Sequence, residues 1–152
     1  MHLRRLNRMI RAFIPAVIVA LDGRIKAKRE RNTEEKTYLN GNIEIITLRN
    51  KGMFASVGEK YPTLVMLSSL ALTIVVAIRF TGTLFDKSKK GLSVGLGLLL
   101  GGAISNTADR VCKNYVVDYL RFPKIKGLIQ RLVFNLSDFA IFVGSIITAF
   151  KF

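Results

Sequence analysis

Residues 91–110, GLSVGLGLLLGGAISNTADR, begin with 18 consecutive uncharged residues, Gly91 to Ala108, and close on Asp109 and Arg110. As a helix the uncharged run is roughly 27 Å long at about 1.5 Å per residue, close to the roughly 30 Å hydrocarbon core of a bilayer. Gly91 with Gly95, and Gly97 with Gly101, stand four apart, a spacing that lets helices approach closely in lipid. A dinucleotide loop is excluded, because Gly95-Leu96-Gly97 runs on into Leu98, Leu99 and Leu100 and no strand precedes it.

Outward from this segment the pattern repeats. Tyr61 to Ile78 is another 18 residues without a charge, and Leu132 to Phe150 is 19 residues whose only charge is Asp138. Near the start, Ala12 to Leu21 gives ten uncharged residues, enough to span only if Arg11 snorkels and the helix continues to about Lys26. A secretory signal peptide competes for that segment, but Asp22, Gly23 and Arg24 stand where a small-residue cleavage site belongs. Half of the 152 residues are hydrophobic and the mean hydropathy is +0.33, which excludes a water-soluble domain. The expectation is an all-α integral membrane protein, one membrane domain over 1–152. It is a four-transmembrane-helix bundle with helices at about 9–26, 61–79, 91–109 and 132–150.

Between the first two helices lies a water-exposed insert, 27–60. Lys26 to Lys36 is mostly charged and reads as a short helix or a frayed loop. From Gly41 to Phe54, Ile43, Ile45 and Thr47 alternate with Glu44, Ile46 and Leu48, the pattern of a strand. Unpaired strand edges are not tolerated in lipid, so this β element belongs at the membrane surface, on the extracytoplasmic side. Pro62 suits the first turn of the next helix.

The chain carries 24 Lys and Arg against 10 Asp and Glu. These charges fill the gaps between apolar segments, as expected of loops touching anionic lipid head groups, and form no basic stripe interleaved with aromatics for nucleic acid. Arg4, Arg5, Arg8 and Arg11, together with Arg79, Lys87, Lys89 and Lys90 of the short loop, mark one side as cytoplasmic. Cys112 is the one cysteine, so no intrachain disulfide forms, and His2 is the one histidine. Neither a metal nor a cofactor is expected.

Polar residues at the ends of apolar helices are costly near lipid and are functional candidates by default. Asn106, Asp109 and Arg110 end the third helix, Asp118 follows Val116 and Val117, and Asn135 with Asp138 opens the fourth. If those helices are antiparallel neighbours, two carboxylates converge at one membrane surface. Asp22 and Lys26, four apart, share one face of the first helix. Bland readings exist for each: an interfacial ion pair for Asp22 and Lys26, a helix-end tie for Asp109 and Arg110, helix-packing hydrogen bonds for Asn106 and Asn135, and helix-end caps for Asp118 and Asp138.

Three stretches carry a resemblance. Gly101 to Arg110 (GGAISNTADR), Val116-Val117-Asp118-Tyr119 and Phe134 to Ile141 (FNLSDFAI) together resemble, in order, spacing and helix context, the signature of the prolipoprotein signal peptidase, or type II signal peptidase, family. Asp22 and Lys26 resemble its Asp and Lys at the end of the first helix, and Asn50 to Phe54 its Asn-x-Gly strand motif, so the likeness covers about residues 10–150. It implies an intramembrane aspartic endopeptidase of the bacterial cytoplasmic membrane, active at the extracytoplasmic face and needing no cofactor. Such an enzyme removes signal peptides from diacylglyceryl-modified prolipoproteins, cutting just before the lipidated cysteine. By motif position Asp118 and Asp138 would be the catalytic pair, with Asn50, Asn106, Asp109, Arg110, Asn135, Asp22 and Lys26 supporting them or the substrate. The partners implied are prolipoprotein precursors and membrane lipid, met as a monomer, with no nucleic acid.

Three positions depart from the family pattern: Ser105 stands where Gly is usual, Ser137 where Ala is usual, and Phe54 comes one residue early. A catalytically silent relative that binds lipoproteins or lipid, and a small transporter or channel subunit with a polar path, are the competing readings. Cleavage of a lipidated precursor separates the peptidase from both.

Overall fold

A computed structural model describes residues 2–53 and 57–151; Phe54 lies outside the described residues. The helices are α1 (His2–Arg31), α2 (Pro62–Leu84), α3 (Lys90–Lys113) and α4 (Leu136–Lys151). The strands are β1 (Lys36–Tyr38), β2 (Ile43–Asn50), β3 (Val116–Arg121) and β4 (Val133–Phe134), in one antiparallel sheet of order β1-β2-β3-β4. Among the described residues α2 and α3 are long and apolar enough to cross a membrane.

The central helix is α3, which packs against α1, α2 and α4 and buries twelve of its 24 residues. Its glycines divide the work. A Cβ at Gly101 would stand 3.0 Å from Pro15 Cα of α1, and one at Gly95 would stand 2.9 Å from Ile147 Cγ2 and from the Thr148 backbone of α4. Gly144 answers from α4, where a Cβ would come 2.6 Å from the Gly95 carbonyl and the Leu99 amide. Both helix contacts are thus backbone against backbone, the close approach that small residues permit. By contrast α2 buries only Val65, Phe80 and Thr83, so most of its apolar surface faces outward.

Several boundaries differ from the expected ones. α1 continues through the charged run to Arg31, because Arg29 is tied to Thr47 and the Glu34 carbonyl while Glu30 accepts from Lys113 and Tyr115. The residues assigned to an insert from 27 therefore begin as helix. α2 does not stop at Arg79 but runs to Leu84, Phe80 being buried and Thr81 returning a hydrogen bond to the Ala77 carbonyl. α3 passes Asp109 and ends at Asn114, which takes a left-handed φ of 64° and caps the Arg110 carbonyl. Residues 132–135 are not helix, because Val133 and Phe134 pair with Arg121 and Leu120 as β4. Asp118 is in strand β3 rather than in an irregular loop.

One irregularity of the sheet decides where Asn50 points. β2 pairs Ile45 with Leu120 but Leu48 with Asp118, so β2 carries one extra residue there, a bulge. Beyond it Asn50 lies opposite Val116, on the same face as Asp118. Without the extra residue every later side chain of β2 would point to the other face, and Asn50 would be lost to Asp118.

Candidate active site

The polar residues singled out in the sequence converge where the C-terminal ends of α1 and α3, the N-terminus of α4 and the sheet meet. Asn135 is the N-cap of α4. Its Oδ1 accepts the Asp138 backbone N–H at 2.9 Å, and Asp138 Oδ2 accepts the Asn135 backbone N–H at 2.9 Å. This reciprocal arrangement is a capping box built from Asn and Asp. It orients Asp138, whose other oxygen accepts from Asn106 Nδ2 at 2.9 Å. The cap reading of Asp138 is therefore correct, and the cap is also what aims the carboxylate.

Asp118, 3% exposed, is reached from both sides: Asn135 Nδ2 donates to Oδ1 at 2.7 Å and Asn50 Nδ2 to Oδ2 at 3.0 Å. Asn135 thus spans the two carboxylates, holding Asp138 with its backbone and Asp118 with its side chain. Burial, and next the charge of Asp138, push Asp118 up from 3.8 to about 7, against the pull of the two asparagine donors. Asp138 is only partly buried, so of the two it is the one solvent reaches.

Behind the pair lies a dry charged cluster. Lys26, 1% exposed, donates to Asp22 at 2.8 Å, Asp109 at 3.0 Å, Asn106 Oδ1 at 2.8 Å and Ser105 at 3.2 Å. By occupying Asn106 Oδ1 it fixes which end of that amide faces Asp138. Asp22, fully buried, accepts from Ser105 at 2.7 Å, Ser137 at 2.6 Å and Tyr119 at 2.9 Å besides Lys26. The Tyr119 hydroxyl in turn accepts the Leu136 N–H at 2.9 Å, satisfying another amide of the α4 first turn. Burial and the Asp22 charge raise the Tyr119 phenol well above its usual range, so it remains a donor. Asp109 faces both Lys26 and Lys113 and accepts from Val117, which ties α3 to α1 and β3.

Asn50 Oδ1 accepts the Gly52 N–H, and Arg110 donates to the Gly52 carbonyl at 2.8 Å and to the Asn106 carbonyl at 3.2 Å. Together these clamp the turn after β2 onto the site. Arg110 Nε has no hydrogen-bond partner among the described residues.

All nine residues named from the sequence fall in this one region. Sequence reasoning quoted Tyr119 within a motif without giving it a role, and noticed Ser105 and Ser137 only as departures. The available signal was Asp22 itself, since a carboxylate buried in an apolar helix must find several donors. Among the described residues no group of His, Cys, Asp and Glu is arranged to hold a metal.

The sequence model of the family described as Signal peptidase (SPase) II matches residues 14–152. A lipoprotein signal peptidase of Rhizorhabdus wittichii is 32% identical over 158 residues, covering 97% of this chain and 88% of that protein. A lipoprotein signal peptidase of Enterococcus faecalis is 32% identical over 143 residues, 88% of this chain and 81% of its own length. One of Lactobacillus johnsonii is 38% identical over 116 residues, 75% of this chain and 70% of its own. A solved structure described as a bacterial membrane enzyme superposes with a TM-score of 0.78 at 20% identity, covering 93% of this chain and 85% of that one. A second so described gives 0.72 at 19% identity, over 93% and 90%.

Proposed function

The chain belongs to the signal peptidase II family and removes signal peptides from prolipoproteins, and we propose that it does so as an intramembrane aspartic endopeptidase with Asp118 and Asp138 as the catalytic pair. The observation that carries this reading is the Asn135 bridge, which brings two carboxylates 20 residues apart in sequence under one residue's control. Close carboxylates in a desolvated site share a proton. One takes a proton from the attacking water while the other donates to the developing oxyanion of the scissile carbonyl. The proton belongs to the pair, and Asp138, the more accessible member, is placed to meet the attacking water.

The substrate is a diacylglyceryl-modified precursor, cut just before its lipidated cysteine, and a monomer suffices because one chain supplies every donor of the pair. β1 covers β2 only from Ile43 to Ile45, so among the described residues the β2 edge from Ile46 to Asn50 has no strand on that side. This supports an extended substrate segment pairing there, with Asn50 at the end nearest Asp118. All four helices span the membrane of a bacterial cell as one domain, with the sheet and active site at the extracytoplasmic face. The basic N-terminal end of α1 and the basic, short α2–α3 turn support that orientation.

The silent-relative reading, whose ground is the altered stretch 52–54, is not favoured by the lipoprotein signal peptidase relatives, and Ser105 and Ser137 point to Asp22 and leave the pair intact. Purified protein in detergent should cleave a lipidated precursor and leave its unlipidated counterpart uncut; cleavage of neither would end the peptidase reading. Labelling Lys87→Cys in a Cys112→Ala background from the cytoplasmic side tests the topology, and labelling only from outside would reverse it.

A further inference from the structure

At the end of the bundle opposite the active site, roughly 24 Å away along α3 by its rise per residue, lies a cavity of about 890 Å³. Arg5, Arg8 and Arg11 of α1, with Lys87 and Lys90 beside the α3 start, line it. The one carboxylate there, Asp86, is already engaged by Lys89 and by Ser88. None of the five lining cations is paired with a carboxylate among the described residues. Two of them are held in place: Arg11 is buried and donates to the Asn7 carbonyl and to Ser93, and Arg8 stacks over the Phe85 ring at 5.3 Å. Cations fixed in advance lose little freedom when an anion arrives.

We propose that this cavity binds the phosphate-bearing headgroup of an anionic membrane phospholipid. A phosphate matches five cations that no carboxylate among the described residues neutralises, and guanidinium groups suit its oxygens. A lipid rather than a soluble anion follows from the surroundings. Leu84, the last residue of the outward-facing apolar helix α2, is on the cavity wall, so the cavity opens at the membrane surface. Leu6, Ile10, Phe13, Val17 and Leu21 recur along one face of α1 and are all exposed, giving an apolar stripe that leads away from the cations. A headgroup in the cavity would lay its acyl chains along that stripe. The site depends on the membrane setting and not on the peptidase chemistry.

The test is the thermal shift of the full chain, purified in a neutral detergent at low salt, with three probes: dihexanoylphosphatidylglycerol, dihexanoylphosphatidylcholine and inorganic phosphate. Phosphatidylglycerol should raise Tm with saturation, as a ligand of the folded state does, and the other two should not at equal concentration. Combining Arg5→Gln, Arg8→Gln and Lys87→Gln, all at exposed positions, should weaken the apparent affinity about a hundredfold, near fivefold per charge at the surface. Removing as many charges at the other end, with Lys28→Gln, Lys126→Gln and Arg131→Gln, should leave it within about twofold. Arg8→Gln alone, weakening affinity about fivefold, serves if the triple variant does not fold. An equal shift with inorganic phosphate would make this a free-anion site, and equal weakening by both triple variants would reduce it to overall charge; either result overturns the proposal.

Discussion

The two ends of α3 both gather charge, but in opposite ways. Around Asn106 and Asp109 the charges of the Lys26 cluster are buried and matched: one lysine sits among two aspartates, an asparagine and a serine, and Asp22 accepts four hydrogen bonds. Around Lys90 five cations, mostly exposed, line one cavity with a single carboxylate, Asp86, which Lys89 already engages. A buried, matched cluster resists any single change, since removing one member strands the others in a low-dielectric site. An exposed, like-charged cluster is screened and indifferent to the loss of one member. The first kind holds a geometry, and the second leaves charge available to something outside the chain.

The largest effect is expected inside the matched end, at the pair itself. Asp118→Asn or Asp138→Asn should each abolish nearly all cleavage, and the double variant should lose little more, because both act in one proton transfer. Each variant also sets an amide N–H against a donating asparagine, which costs about 1–2 kcal/mol of stability. Correctly folded single variants that cut at near the parent rate would reduce the pair to caps and ties, and the contrast between the two ends would then be one of stability alone.

Next is Lys26→Met, which keeps the length of the side chain and removes its charge. Asp22 then loses its cation while Asp109 keeps Lys113 alone, and the expected loss is about 3–5 kcal/mol, read as a fall in Tm in detergent. Lys87→Gln at the other end should change stability by less than about 0.5 kcal/mol. Similar losses for both would erase the difference between the ends.

A pH scan sharpens the contrast. Asp118 binds its proton more tightly in the folded chain, at about 7, than at its ordinary 3.8. Its contribution is therefore most favourable below about pH 4, and it is lost as pH rises towards and through 7, by on the order of 4 kcal/mol. Cleavage should show an alkaline limb near pH 7 as the shared proton leaves, and Asp118→Asn should flatten the matching fall of Tm between about pH 4 and 7. A Tm slope unchanged by that substitution would place the titration elsewhere.

Much of this was legible in the sequence. The apolar runs of α2 and α3, the alternation that became β2 and the start of α2 at Pro62 are local patterns, each governed by one period or one backbone restriction. The two catalytic candidates and their supporting asparagines stood out because polar groups beside apolar helices need a reason. What was not legible depends on distant pairing. The bulge that turns Asn50 towards Asp118 exists only against β3, 68 residues on, and β4 is helix by composition but strand by its pairing with Leu120 and Arg121. The α1 extension to Arg31 likewise rests on partners in β2 and α3. The N-x-x-D signal of the α4 capping box, by contrast, was present in Asn135 and Asp138 and could have fixed that helix start.

The smallest effect, and the finest test of the matched end, lies at Ser105 and Ser137. They come from different helices, yet both donate to the same oxygen of Asp22. Ser105→Gly removes two charge-assisted hydrogen bonds, one to Asp22 and one from Lys26, and adds a helix-interior glycine, while Ser137→Ala removes only its hydrogen bond to Asp22. The losses should be about 2–3 and 1–2 kcal/mol respectively. Neither serine touches the catalytic pair, so kcat should stay close to the parent value while Tm falls. The two sites share an acceptor and so should couple: with both hydroxyls gone, Asp22 keeps Lys26 and Tyr119 alone, and the double loss should exceed the sum of the singles. A strictly additive pair would mean that Lys26 satisfies Asp22 by itself and that the serines are space-filling. A kcat that falls in step with Tm would instead mean that the cluster behind the pair sets the geometry of Asp118 and Asp138 directly, through Lys26 and Asn106.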